Sequence, residues 1–135
     1  MIPLQRRTFL RQSSHALAFS SFAIASVSFS ANDTIRIGCI GTGGRCRHLL
    51  QDLLHLEGVK VTALCDVWDD ALARTQAMVD DPTVLTTKNY KEILANPAID
   101  AVLIATPNHW HVPMTVEACD AGKDVYVEKP LTVKL

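Results

Sequence analysis

Several common features are missing from this sequence, and each absence narrows what it can be. There is no Cys-x-x-Cys and no cysteine–histidine spacing of the metal-binding kind. The four cysteines, Cys39, Cys46, Cys65 and Cys119, stand apart, so neither a zinc site nor a required disulfide is expected. Cys39 and Cys65 fall on what read as neighbouring strands, and both read as small buried residues. There are no internal repeats, which excludes solenoids and propellers. Basic charge is not in excess: the net charge is −1. Acidic charge is absent from the first 31 residues, which carry only Arg6, Arg7 and Arg11, so the other ten Lys and Arg sit with all 14 Asp and Glu. That mildly acidic remainder has no electrostatic reason to hold nucleic acid or anionic lipid. What is present suits one ordinary globular domain with a small core: 135 residues, 48% hydrophobic and 20% charged.

The amino-terminal stretch reads as an address. Gln5-Arg-Arg-Thr-Phe-Leu-Arg11 precedes an uncharged run, Gln12–Asn32, rich in Ala, Phe, Ile and Val but interrupted by seven serines. Ser28 and Ser30 flank Phe29 in an A-x-A-like cleavage pattern. The Arg-Arg pair followed by Thr-Phe-Leu resembles a twin-arginine export signal. A membrane span wants about 20 mostly apolar residues, and the serines weaken an uncleaved anchor, which is the alternative. Residues 1–31 are therefore expected to engage the Tat translocase. The protein is then expected in the periplasm or cell envelope, with residues 32–135 as the folded domain.

From residue 35 onward, short apolar runs alternate with helical spacing. Ile35–Ile40 reads as a buried strand, and Arg45 to Leu56 as a helix stopped by Gly58. Val59–Cys65 reads as a strand, followed by a helix capped by Asp69 or Asp70 and running to Val79, where Asp81-Pro82 breaks it. Thr83–Thr86, Ala101–Ala105 and Asp124–Glu128 read as further strands, with helices at Tyr90–Ala95 and Val112–Ala121 between them. Ala101–Ala105 is wholly apolar and so should be buried on both faces. The alternation implies an α/β fold, a doubly wound parallel sheet of the Rossmann type with right-handed crossovers.

Gly41-x-Gly43-x-x-Cys46 lies between the first strand and its helix. The first glycine permits the tight turn, the second lets backbone approach a pyrophosphate, and the helix amino end offers free N–H groups. Cys46 takes the third position, where a small side chain must pack helix on strand. Asp66 follows the next strand, 25 residues after Gly41. There an acid binds the adenosine ribose hydroxyls and repels a 2′-phosphate; an ordinary strand-end cap is the other reading. The strand–turn–helix context gives NAD as the cofactor, with NADP less favoured.

Two more segments leave strand ends on the same sheet edge: Ala105-Thr-Pro-Asn-His-Trp-His111 and Val127-Glu-Lys-Pro130. Together with Ile40-Gly-Thr-Gly-Gly-Arg45, Asp66 and Ala121-Gly-Lys-Asp-Val-Tyr-Val-Glu-Lys-Pro130, they resemble the Gfo/Idh/MocA oxidoreductases over residues 34–135. The resemblance implies that Lys129 lies at the nicotinamide and assists proton transfer from a substrate hydroxyl. It also implies that Thr106, Pro107, Asn108, His111 and Glu128 line the cofactor pocket beside Gly41, Thr42, Gly43, Gly44 and Arg45. A cis peptide before Pro130 would aim Lys129 inward. Lysine serves as a base only where burial or a nearby cation lowers its pKa; otherwise it is a solvated strand-end residue. Of His109 and His111, one is expected to pack or cap, with His111 in the pocket and catalytic alongside Lys129. Trp110 either covers the site or fills core. Arg45 either meets a phosphate or is solvated.

The resemblance further implies a second α/β domain after the Glu-Lys-Pro motif, forming the sugar pocket and the homo-oligomer interface. The chain stops at Leu135, so a fragment, or dependence on a partner, is expected. The functions in contention are an NAD-dependent sugar or polyol oxidoreductase, an NAD-dependent glycosidase of the same family, and a non-catalytic nucleotide-binding module.

Overall fold

In the computed structural model, residues 34–131 are described. The expected export signal lies outside them. Strand β1 (Ile35–Ile40) becomes progressively buried toward its carboxyl end. It feeds α1 (Gly44–Leu53), then β2 (Val59–Cys65), α2 (Asp69–Val79) and β3 (Leu85–Thr87). The chain continues through α3 (Tyr90–Ala95), β4 (Ala101–Ile104), a 3₁₀ turn (Asn108–Trp110), α4 (His111–Asp120) and β5 (Asp124–Val127). The strands form one sheet in the order β3-β2-β1-β4-β5, with every pairing parallel. This is the doubly wound Rossmann-type arrangement. The strand order reverses beside β1, so the crevice at the carboxyl ends of β1 and β4 is the switch point where ligands bind in such sheets.

Two apolar clusters lie against the sheet, as side chains alternating along buried parallel strands require. One joins Ile40, Ala63, Cys65, Val102 and Ile104 to Ile93 of α3 and to Met114 and Ala118 of α4. The other joins Cys39, Val61, Leu64 and Leu103 to Cys46 and Leu50 of α1, with Leu72 and Met78 of α2 packed against it. Val102, Leu103 and Ile104 are all buried, so β4 is covered on both sides, as its composition predicts. β1 and β2 are neighbours, with Ile40 opposite Cys65. Cys39 and Cys65 nevertheless belong to different clusters, and all four cysteines are free thiols.

Element ends depart from the sequence reading where polar groups intervene. α1 stops at Leu53 rather than Leu56, because Leu54 and Leu56 stay exposed and further helix gains no burial there. β3 begins at Leu85 rather than Thr83. The Asp81 carboxylate accepts from both the amide and the hydroxyl of Thr83, at 2.8 and 2.6 Å. That turn holds Thr83 out of the ladder. α2 is preceded by Trp68 without a side-chain cap, and Asp69 and Asp70 sit in its first turn, where their charge favours the helix dipole. α4 starts one residue earlier than expected, at His111. Gly122, expected to end α4, follows its C-cap Ala121 with φ +71°; Gly58, expected to stop α1, lies five residues beyond that helix, with φ +74° in the turn into β2.

Candidate functional site

The site is built from the turn between β1 and α1. Gly41 has φ +84°, and a Cβ there would lie 2.8 Å from the Thr106 nitrogen and 2.9 Å from the Ala105 carbonyl. Only glycine fits, so the turn is pressed against the loop leaving β4. Gly43 is the N-cap of α1 and offers no side-chain cap; a Cβ there would meet nothing within 4 Å. Open space therefore stands before a ten-residue helix whose first N–H groups have no intrahelical acceptor. Cys46 is wholly buried in the packing position behind the turn. Its contact with Cys39, together with burial, raises the Cys39 thiol well above the ordinary range. Burial likewise lifts Cys65 to about 11, so these thiols are poor nucleophiles.

Asp66, just beyond β2, is held by the turn itself. One carboxylate oxygen accepts from the Thr42 amide (2.7 Å) and hydroxyl (3.2 Å), and the other from the Trp68 amide (2.9 Å). A carboxylate offers about four acceptor positions, so capacity remains for a further donor. Thr42, expected at the cofactor, is fully buried. Its carbonyl accepts from Thr75 Oγ1 (2.8 Å) and Arg47 Nη1 (2.9 Å). It supports Asp66 and the turn from behind.

A cleft of about 830 Å³ opens along this edge, within the roughly 300–1,000 Å³ of small-molecule sites. Gly41, Gly43, Gly44, Arg45, Asp66, Thr106 and Pro107 line it, as the sequence led us to expect. Thr106, on the cleft wall, has a buried Oγ1 with no partner among the described residues; Thr115 Oγ1 of α4, away from the cleft, is unpartnered among them too. Trp110 is exposed, belongs to neither apolar cluster and lines the cleft, so it does not fill core. Val67, Lys88, Asn89, Tyr90 and Met114 also line it, and sequence reasoning missed them. The strand-end rule would have found Lys88 and its neighbours had β3 been placed to end at Thr87.

Five expected residues do not line the cleft. Thr42 is one. Asn108 is exposed in the 3₁₀ turn. Glu128 instead binds Arg45, with the Nη2–Oε1 distance 2.9 Å, and receives a weak hydrogen bond from the Tyr126 hydroxyl at 3.4 Å. Arg45 holds the Glu128 carboxyl below its ordinary value, and Glu128 raises Arg45 in turn. This pair ties the phosphate turn to the end of β5. Lys129 is exposed, beside a cis Lys129–Pro130 bond. His111 is buried, and both its ring nitrogens face backbone carbonyls, of Thr106 and Pro130, at 2.8 Å.

The residues present fit a dinucleotide. Gly43 and Gly44 leave room at a helix amino end, Asp66 supplies a fixed carboxylate at the ribose position, and Thr106 supplies an orphan hydroxyl. Comparison with known proteins agrees. Residues 35–135 match the Gfo/Idh/MocA model, described as an oxidoreductase family with an NAD-binding Rossmann fold. A glycosyl hydrolase family 109 protein of Solibacter usitatus is 39% identical over 120 residues, 82% of this chain and 27% of that protein. The crystal structure of myo-inositol 2-dehydrogenase from Lactobacillus plantarum superposes with a TM-score of 0.69 at 30% identity, over 76% of this chain and 30% of that one. KijD10, a 3-ketoreductase from Actinomadura kijaniata crystallised with NADP and TDP-benzene, superposes with a TM-score of 0.66 at 29% identity, over 73% of this chain and 30% of that one. The chain thus spans less than a third of the length of each of these relatives. Its site and its match agree: the chain belongs to the Gfo/Idh/MocA oxidoreductase family and carries that family's NAD-binding Rossmann domain.

Proposed function

We propose that this chain is the cofactor half of an NAD-dependent oxidoreductase acting on a sugar or polyol. The observation that carries the reading is the Asp66 carboxylate, fixed at the cleft wall by the phosphate turn. A fixed anion there accepts from ribose hydroxyls and repels a 2′-phosphate, which favours NAD over NADP. Bound NAD supplies the hydride acceptor. The chain's own groups do the rest. Gly43 and the first turn of α1 receive the pyrophosphate. Thr106 and Pro107 border the nicotinamide half, and the proton of the substrate hydroxyl is assigned to Lys129 Nζ, which is exposed at the end of β5 and becomes a base only when the substrate half buries it. Calorimetric titration of the 135-residue chain tests the cofactor assignment. NAD should bind more tightly than NADP, and equal or tighter NADP binding would sink it.

A second reading, an NAD-dependent glycosidase, is favoured by the 39% identity to a glycosyl hydrolase family 109 protein. Such an enzyme oxidises its sugar only transiently, so glycoside cleavage without net NADH in a protein carrying the substrate half would select it. Residues 1–31 deliver the domain to the periplasm or cell envelope through the Tat translocase, with an uncleaved anchor as the alternative. Changing Arg6 and Arg7 together to Lys should trap the protein in the cytoplasm; undiminished export would remove this part of the proposal. Homo-oligomer contacts are assigned to the substrate half.

A further inference from the structure

Asp66 and Lys88 leave the sheet side by side. β3 runs parallel to β2 with Thr87 opposite Cys65, and the Asp66 amide donates to the Thr87 carbonyl at 3.3 Å. Each residue is thus the next one after a paired strand end, on strands about 4.8 Å apart, and both line the cleft. Among the described residues the charged groups on its wall are Arg45, Asp66 and Lys88. Arg45 is engaged by Glu128 at the end of β5. Lys88 is engaged as well. Its Nζ lies 2.7 and 2.9 Å from the two carboxylate oxygens of Asp69, in the first turn of α2. An ammonium next to the ribose acid is the group a 2′-phosphate on adenosine would use, and here an acid outside the cleft wall already holds it.

We propose that Asp69 is a determinant of cofactor choice that acts through Lys88: by holding the Lys88 ammonium it withholds the cation that a 2′-phosphate needs. This rests on the nucleotide reading of the cleft given above and deepens it. The two acids act on the same position in different ways. Asp66 presents a fixed negative charge to the ribose; Asp69 cancels a positive one beside it. NADP entering the cleft has to draw Lys88 away from Asp69 while meeting Asp66, whereas NAD leaves the ion pair intact. The neighbouring acids are engaged elsewhere, Asp70 by Arg74 and Glu92 by the Thr87 hydroxyl. Without Asp69, Lys88 therefore turns its charge to the cleft it already lines. The Lys88 and Asp69 side chains are largely exposed, at 58% and 79%, so the pair adds little to folding and its loss leaves the fold in place. Its weight falls on selectivity.

Calorimetric titration of the 135-residue chain with NAD and with NADP, at low salt where exposed charges are least screened, tests this. Asp69→Asn should bind NADP about threefold tighter or more than wild type, while its NAD affinity changes by less than about twofold. Asp69→Glu keeps a carboxylate for Lys88 and should keep the wild-type preference. Adding Lys88→Met to Asp69→Asn removes the cation and should return NADP binding to the wild-type level. An unchanged ratio of NADP to NAD affinity in Asp69→Asn would overturn the proposal. A gain that persists in the double variant would overturn it too, because the gain would then come from the Asp69 charge alone. Wild type that binds neither nucleotide would remove the cofactor assignment and this inference with it. Wild type that prefers NAD, with no shift in Asp69→Asn, would remove this inference and leave the assignment standing.

Discussion

Replacing Asp66 with Ala should damage fold and cofactor choice by amounts that can be told apart. Thr42 is fully buried, and its amide and hydroxyl both donate to Asp66. Removing the acceptor leaves two buried donors unpaired, at roughly 1–3 kcal/mol each. The Trp68 amide faces solvent, so its bond at 2.9 Å is replaced by water at little cost. A total loss of about 2–4 kcal/mol follows, and at about 4–8 °C per kcal/mol for a domain of this size the melting temperature should fall by roughly 10–30 °C. Asp66→Asn keeps a side-chain acceptor toward Thr42 and should fall by much less. Cofactor affinity supplies the second readout. Both variants lose the charge that accepts from the ribose, so NAD should weaken by about tenfold or more, which is about 1.4 kcal/mol. NADP should weaken less, because the repulsion of its 2′-phosphate is removed at the same time. Thermal unfolding and calorimetric titration, run well below the variants' melting temperatures, measure the two effects. A melting temperature for Asp66→Ala within about 2 °C of wild type would refute the buried-donor argument. Equal losses for NAD and NADP in the folded Asn variant would refute the ribose role.

Two glycines and one carboxylate give further expectations. Gly41→Ala must hold φ +84° with its Cβ 2.8 Å from backbone, so left-handed strain and overlap together should cost about 3 kcal/mol or more, read by denaturant unfolding. Gly43→Ala meets open space and should melt within about 2 °C of wild type while NAD titration shows a clear loss of affinity, since the added methyl stands where the pyrophosphate must approach. Asp100 is lowered to about 2, chiefly by the Arg36 hydrogen bond. A depressed carboxylate contributes stability that is complete above its ordinary value of about 4 and is lost as pH falls through the folded value. Asp100→Asn should therefore melt below wild type at pH 7 and converge with it as pH falls toward about 2. Part of the acid limb will remain, because Asp81 is also held at about 2.

The parts of this fold that rest on periodicity and punctuation could be read from the residues. The apolar run at β4, the glycine that ends α4, and the alternation of strands with helices give the sheet, and the sheet then dictates where Asp66 must stand. The misplaced element ends come from side-chain bonds that no hydropathy pattern records, such as Asp81 capturing Thr83. Cys39 and Cys65 show a related limit. Their strands could be named, but an offset of one residue in register sends one side chain to each face, and that offset is set by the irregularity in pairing between Ile37 and Gly38.

The polar residues of the site were legible as types and not as partners. Thr42, His111 and Glu128 were expected in the cleft wall and do not line it; each is engaged by the protein instead. Thr42 binds a carboxylate 24 positions away, His111 a carbonyl 19 away, and Glu128 an arginine 83 away. Those three links tie the phosphate turn to the end of β2, the loop after β4 to the loop after β5, and the end of β5 back to the phosphate turn. Residues whose rotamers are locked in this way hold a site in its binding geometry, which reduces the ordering cost of the ligand. The groups left for the dinucleotide are then backbone N–H at the head of α1, the remaining acceptor capacity of Asp66 and the orphan hydroxyl of Thr106. Substituting a linking residue should therefore weaken nucleotide binding through looser loops, and substituting Gly43 should weaken it with the loops intact.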